Sequence, residues 1–429
     1  MKICVINGSP KGKYSVTFQT VLYLRKHFPN DQWAVLHAGQ RIRGYEKDFS
    51  RAKAVMEKAD LILFSYPVYT FLAPWQLHRF LELVKENGVT LSGRFSTQIT
   101  TSKHFYDVTA HRYIEQNCQD LGLWVIPGLS ADMGDLTAEQ GQKEALDFWK
   151  FVHHCSECPA PLSKKLRSQP KRTGKKVILL TNAGWEDRPL QEKMEAFRAL
   201  FPYETETVNI AQFPFSGGCL GCLKCAADGV CVYRDGFPEF LREKIQKADA
   251  IVYAFRIQDH SMGASFKLYD DRQFCNGHRT MTMGMPVGYL VEGDYASEEN
   301  LRLLIEARAE VGHNYLAGVA QEETGMALLA DRLCYALENG YVPPQNFYGV
   351  GGMKIFRDLI YVMRGMMRAD HAFYKKQGFY RDMPHRQLGT ILGMTLVGKL
   401  MAAPGIKEKM GDKMQDGMLA PYRKVLAKK

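Results

Sequence analysis

The feature that most limits what this chain can fold into is an alternation of apolar runs with helical periodicity, met twice along its length. Lys2–Asn7 is an apolar strand, and Ser15–Phe28 is a helix with Phe18, Val21, Leu22 and Phe28 near one face. Trp33–Ala38 and Ser50–Lys58 continue the alternation, and Asp60–Val68 is a near-continuous apolar run of the kind a central parallel strand needs. Pro74–Lys85, Phe95–Thr101, Val108–Leu121, Trp124–Leu129 and Thr137–His153 complete five strand–helix units, which predicts a doubly wound parallel sheet. A basic, proline-containing stretch over 159–174 reads as a linker.

The pattern then restarts. Strands are predicted at Lys176–Thr181, Thr207–Ala211, Asp249–Arg256, Pro286–Glu292 and Tyr315–Ala320. Helices are predicted at Leu190–Leu200, Phe237–Lys247, Gly263–Phe274, Glu298–Val311 and Met326–Leu337. The letters repeat as well, since Lys58-Ala59-Asp60-Leu61-Ile62-Leu63-Phe64 aligns with Lys247-Ala248-Asp249-Ala250-Ile251-Val252-Tyr253 at an offset of 189. At the first strand the offset is 174, so the second copy carries extra residues between its first and third strands. The expected division is 1–158, a linker, a second α/β domain over 175–341, and a helical C-terminal extension over 342–429.

Composition adds limits. The net charge of +10 is concentrated from Lys354 onward, where 16 Lys and Arg face 6 Asp and Glu. A basic tail suits nucleic acid, an anionic membrane, an acidic partner, or a solvated helical face. Nucleic acid is not expected; peripheral membrane contact is a candidate. The longest apolar stretch, Leu388 to Ile406, is broken by Lys399 and Pro404-Gly405 and falls short of a membrane span. With no leader-like segment before the first strand, the expectation is a cytoplasmic protein.

The first strand runs into Asn7-Gly8-Ser9-Pro10-Lys11-Gly12-Lys13-Tyr14-Ser15-Val16-Thr17. Hydroxyls, glycines, lysines and a helix N-terminus coincide there, a set suited to a terminal phosphate. The loop is neither a Walker loop nor a dinucleotide fingerprint. The second copy has lost these groups: Thr181-Asn182-Ala183-Gly184-Trp185-Glu186-Asp187 places acids there, and Arg256 stands where Pro67 stands in the first.

Gly8-Ser9-Pro10 and Pro67-Val68-Tyr69 resemble motifs of the NADPH-dependent FMN reductase and iron–sulfur flavoprotein group of flavodoxin-like proteins. The resemblance spans roughly 1–340, as a tandem duplication. It implies FMN phosphate roles for Ser9, Lys11, Ser15 and Thr17, with Gly12 and Lys13 in the same loop. It implies ring contacts from Pro67, Val68, Tyr69, Thr70 and Phe71. The loop after the fourth strand, with Thr101, Ser102, Lys103 and His104, is expected along the pyrimidine side. Lys103 or His104 would there stabilise charge on the reduced flavin and act catalytically.

Ten cysteines with uneven spacing read as ligands rather than disulfides. Cys219, Cys222, Cys225 and Cys231 form C-x2-C-x2-C-x5-C, a compact spacing that suits a [4Fe–4S] cluster better than zinc, with an empty site the remaining alternative. His153, His154, Cys155 and Cys158 form a second candidate metal group.

The expected function is an FMN-dependent oxidoreductase passing electrons between a nicotinamide or ferredoxin-like donor, FMN and the cluster. Its alternatives are an NAD(P)H:quinone or small-acceptor reductase without a working cluster, and a redox-sensing or scaffolding flavoprotein. Partners would be a redox protein or small-molecule acceptor, and the resemblance implies a homodimer.

Overall fold

A computed structural model describes residues 1–157, 171–401 and 406–428, with side chains between 400 and 415 left out. Two compact units are present. One contains the chain up to 157 together with the segment from Met383; the other runs from 171 to Asp382. The C-terminal extension is therefore divided between the units rather than standing as one appendage.

In the first unit the elements are β1 (Lys2–Asn7), α1 (Val16–His27), β2 (Gln32–Leu36), α2 (Ala38–Lys47), α3 (Ser50–Met56), β3 (Leu61–Pro67), α4 (Trp75–Glu86), β4 (Phe95–Ser102), α5 (Asp107–Asp120), β5 (Trp124–Val125), β6 (Leu129–Asp132) and α6 (Glu139–Glu157). The parallel sheet has the order β2-β1-β3-β4-β5, with β6 also on β4. The predicted fifth strand is thus two pieces, because the Pro127-Gly128 pair interrupts the ladder between them. Residues 38–47 form a helix absent from the sequence reading.

The second unit contains β7 (Arg172–Thr181), α7 (Arg188–Leu200), β8 (Tyr203–Asn209), α8 (Lys224–Asp228), α9 (Phe237–Phe240), β9 (Ala250–Arg256), α10 (Gly263–Arg272), β10 (Pro286–Glu292), α11 (Glu299–Val311), β11 (Tyr315–Ala320) and α12 (Glu323–Asn339). Its sheet order, β11-β10-β9-β7-β8, repeats that of the first. Both are flavodoxin-like doubly wound sheets. Helices α13 (Phe347–Val362) and α14 (Arg368–Gln377) belong to this unit, whereas α15 (Leu388–Met401) and α16 (Ile406–Ala427) return to the first.

The repeated letters have a repeated task. Asp60 accepts the Lys2 backbone N–H at 2.7 Å, and Asp249 accepts that of Lys176 at 2.7 Å. In each unit the carboxylate before the third strand pins the start of the first. Above these anchors the central strands bury apolar side chains on both faces: Leu61 and Leu63 on one and Ile62, Phe64 and Tyr66 on the other in the first unit, Ala250 and Val252 on one and Ile251, Tyr253 and Phe255 on the other in the second.

Candidate functional site

In the first unit the loops leaving β1, β3 and β4 surround a cavity of about 490 Å³ at the carboxyl edge of the sheet. The strand order reverses between β1 and β3, so this is the switch-point crevice where such sheets bind ligands.

The β1 loop is built by its own polar groups. Buried Asn7 donates to the Gly12 carbonyl at 3.0 Å and accepts the Ser9 N–H at 3.1 Å. The turn closes with Gly12 N–H on the Ser9 carbonyl at 3.0 Å. Gly12 has φ +54°, and a Cβ there would lie 1.9 Å from the Gln40 side chain, so its role is to shape the loop. Ser9, Lys11, Ser15 and Thr17 line the cavity. Lys13 does not; its ammonium sits 5.1 Å from the Tyr14 ring centre. Ser15 precedes α1 without capping it by its side chain. Thr17 is 1 % exposed, and its Oγ1 has no hydrogen-bond partner in the protein. A buried hydroxyl without a partner is costly unless a ligand satisfies it. With the positive end of α1 and Lys11 beside it, that ligand group is anionic. The residues present therefore fit the FMN phosphate.

The β3 loop supplies the adjoining wall. Pro67, Val68, Tyr69, Thr70 and Phe71 all line the cavity. Tyr69 and Leu72 exchange backbone hydrogen bonds of 2.8 and 3.1 Å, closing a turn in which Thr70 (φ 47°) and Phe71 (φ 72°) are both left-handed. Two consecutive non-glycine residues in that region store strain that the surrounding fold must hold. Tyr69 and Phe71 are exposed, and Phe71 meets Phe105 and Tyr106 at 5.4 and 5.1 Å between ring centres. A flat apolar ligand would find aromatic faces here.

The β4 loop departs from expectation at one position. Thr101, Ser102 and Lys103 line the cavity; His104 does not. The His104 imidazole is 8 % exposed, with Nδ1 3.0 Å from the Asp107 carboxylate and 3.3 Å from Ser130 Oγ. The left-handed backbone at His104 (φ 60°) turns its side chain under the loop, away from the cavity and against Asp107 and Ser130. Lys103 reaches Asp132 at 2.7 Å because β4 and β6 run in register as far as Ser102 and Asp132. Burial pushes the Asp132 carboxyl up, but Lys103 and the Gly134 N–H together hold it below the usual carboxylate range. The Lys103 charge is thus partly offset at the mouth of the crevice.

Two lining residues had no sequence signal. Met133 follows β6, and Met418 comes from α16. Leu419, Tyr422 and Val425 of α16 are buried against Tyr23 and Leu136, and the Tyr422 hydroxyl donates to the Met133 carbonyl. The end of the basic tail is part of the crevice wall, not a free arm.

The corresponding crevice of the second unit is crossed by charge. Arg256, at the position of Pro67, pairs with Asp187 in the loop after β7 (Nε–Oδ2 3.2 Å), and Glu292 lies 3.9 Å away. The same loops that hold the first cavity open are here tied together.

The cysteine loop of that unit lies elsewhere. Cys219, Cys222, Cys225 and Cys231 line one cavity of about 320 Å³, joined by buried Cys275, which the spacing did not suggest. Buried Arg272 anchors the loop with two 2.8 Å bonds to Asp235 and one to the Gly217 carbonyl. Arg279 bonds the Cys225 carbonyl at 3.0 Å and Asp370 at 2.9 Å. Burial pushes the Cys225 thiol up, and its Sγ donates to the Phe274 carbonyl at 2.8 Å. Among the described residues no three His, Cys, Asp or Glu side chains gather around a point as a single ion requires. His153 is taken up by Asp31 (2.8 Å) and by stacking on Phe28, and Cys158 lies outside the described residues.

Residues 1–116 match a family model described as a flavodoxin-like fold. No curated protein matches the chain. Among solved structures, the apo form of the NADH:FMN oxidoreductase EMOB is 18% identical, covering 36% of this chain and 88% of its own, with a TM-score of 0.31. The FerB NAD(P)H:(acceptor) oxidoreductase of Paracoccus denitrificans is 17% identical over 36% of this chain and 95% of its own, with a TM-score of 0.30. General stress protein 14 of Treponema denticola, solved with FMN, is 16% identical over 36% of this chain and 98% of its own, with a TM-score of 0.29.

Proposed function

We propose that the first unit binds one FMN per chain and works as an NAD(P)H-dependent oxidoreductase toward a quinone or another small acceptor. The observation that carries this reading is the partnerless, buried Thr17 hydroxyl at the start of α1, set among Ser9, Lys11 and Ser15. Bound FMN would supply two-electron chemistry that no side chain offers. The chain's own groups do the rest. The β1 loop and α1 would fix the phosphate, while Tyr69 and Phe71 would flank the ring and exclude water. Lys103, tempered by Asp132, would place positive charge at the edge of the crevice.

Within this proposal, Cys219, Cys222, Cys225 and Cys231 would hold a [4Fe–4S] cluster as a one-electron outlet or inlet. Four thiols lining one cavity support it. The two units would descend from a duplication, one keeping the flavin loops and the other gaining the cysteine loop. The matched sheet orders and the shared aspartate anchor support that descent. A homodimer and a redox partner remain part of the same reading.

The test is anaerobic purification with flavin, iron and sulfide counted per chain, followed by NAD(P)H turnover with quinones. One FMN and turnover are expected; two FMN, or none, would overturn the assignment. Iron and sulfide at four each support the cluster, as does slowed one-electron reoxidation in Cys222→Ala/Cys225→Ala. Flavin without iron leaves the plain reductase.

A further inference from the structure

Helix α15 has surroundings that do not match its sequence. It reads LGTILGMTLVGKLM, with Lys399 its single charge. Every residue from 388 to 399 is exposed, and Leu392 and Leu396 are 69% and 61% accessible. At about 100° per residue, Leu388, Ile391, Leu392, Met394, Leu396 and Val397 point to all sides of the helix. A helix that is apolar all round needs an apolar medium, because water around it costs free energy on every face. Gly389, Gly393 and Gly398 lower its intrinsic propensity further, so local preference alone is a weak reason for it to persist in water.

We propose that α15 is a membrane-surface anchor, lying in the boundary between headgroups and acyl chains of an anionic bilayer. Its length of about 21 Å is short of the roughly 30 Å hydrocarbon core. No helix among the described residues is long and apolar enough to cross a membrane. Of its two threonines, Thr395 is satisfied internally, donating to the Ile391 carbonyl at 2.7 Å. The charges are arranged for the same setting. No Asp or Glu occurs from Met383 to Lys407, while exposed Arg386 and Lys399 sit near the two ends; beyond the helix Lys407 and Lys409 flank Glu408 in sequence. Long cationic side chains at the ends of such a helix can reach anionic headgroups while their stems stay in the apolar layer. A second copy of the chain would cover one face of α15, leave the others in water, and give the cationic ends no counter-charge. A bilayer puts acyl chains against most of the helix surface and anionic headgroups within reach of its cationic ends. The proposal stands independently of the cofactor assignment.

The experiment uses the full-length protein and sedimentation with phosphatidylcholine vesicles, with and without phosphatidylglycerol. Wild type is expected to pellet with the anionic vesicles, and less so as salt rises. Leu392→Glu/Leu396→Glu should weaken binding about tenfold or more, and Arg386→Ser/Lys399→Ser several-fold. Unchanged circular dichroism in both variants, whose side chains are solvent-exposed here, shows that the fold persists. Failure of wild type to bind vesicles overturns the proposal, as does equal binding by the Glu variant. Lipid-free self-association that the Glu variant abolishes, without vesicle binding, would assign the surface to a second copy instead.

Discussion

Replacing Thr17 with Val keeps the side-chain shape and removes only the hydroxyl, and the expected effects have opposite signs with and without cofactor. In the apoprotein the buried Oγ1 has no partner. An unsatisfied buried hydroxyl costs about 1–3 kcal/mol, so Thr17→Val should stabilise the flavin-free protein by up to that amount. At roughly 2–4 °C per kcal/mol for a unit of this size, the melting point should rise by several degrees. With FMN bound, the same hydroxyl would donate to a phosphate oxygen. A hydrogen bond to a charged acceptor contributes about 1.5–3 kcal/mol, so its loss should weaken FMN binding about 10- to 150-fold. Thermal unfolding of stripped protein and quenching of FMN fluorescence on titration read the two halves separately. A variant that melts lower without flavin, or binds FMN as tightly as wild type, would refute the reasoning.

Leu419→Ala should destabilise the first unit by about 2–5 kcal/mol, since it opens a void where α16 packs on Tyr23 and Leu136, and unfolding titrations followed by Trp fluorescence would show it. Met418→Ala, on the same helix but facing the crevice, should leave stability within about 1 kcal/mol and instead raise KM for bulky acceptors. Burial pushes the His111 imidazole down to about 4 while its Nε2 lies 2.8 Å from Thr100 Oγ1. Between pH 6.5 and about 4 the unfolded chain binds a proton that the folded protein does not, so stability falls with pH across that window and levels off below it. His111→Gln should flatten that part of the profile, by at most about 3 kcal/mol, in denaturant titrations at several pH values. Thr70→Gly and Asp259→Gly should each relieve a left-handed residue and change stability by about 1 kcal/mol or less in the favourable direction in thermal unfolding, with FMN affinity unchanged in Asp259→Gly, which lies outside the crevice.

The crevice loops were legible in the sequence because their chemistry is local. Ser9, Lys11, Ser15 and Thr17 fall within nine residues and meet at one strand–helix junction, so composition alone points at an anion. Elements governed by backbone contact were harder to see. Helix α2 carries only a short apolar stripe, Ala38, Ile42 and Tyr45, interrupted by two glycines, one of which marks a close approach: a Cβ on Gly39 would lie 2.1 Å from the Ser9 carbonyl oxygen. The orientation of His104 was hidden for a related reason. A polar loop residue beside Lys103 reads as a ligand contact until the backbone turns left-handed and Asp107 and Ser130 claim the ring. Met418 and Cys275 are contacts across long separations, and nothing in a local window announces them. The tail's charge read correctly as a concentration of base, but its burial depends on Leu419, Tyr422 and Val425, whose partners lie hundreds of residues earlier.

The second unit works as a control built into the chain. At the offset of the third strand, Tyr69–Leu72 becomes Gln258–Ser261, and the turn is the same: paired backbone bonds of 2.9 Å enclose Asp259 (φ 50°) and His260 (φ 59°). At the offset of the first strand, Asn7 becomes Thr181, and each side chain accepts the N–H two residues on at 3.1 Å. Strained turn and capped loop therefore also occur where Arg256 and Asp187 close the crevice. They belong to the fold and cannot by themselves argue for a cofactor. What the first unit has and the second lacks is narrower: the hydroxyls at 9, 15 and 17, Lys11, and an uncharged residue at the end of the third strand. The case for a phosphate-bearing ligand rests on that difference, and Thr17 is the place in it where the protein leaves a buried donor for something else to satisfy.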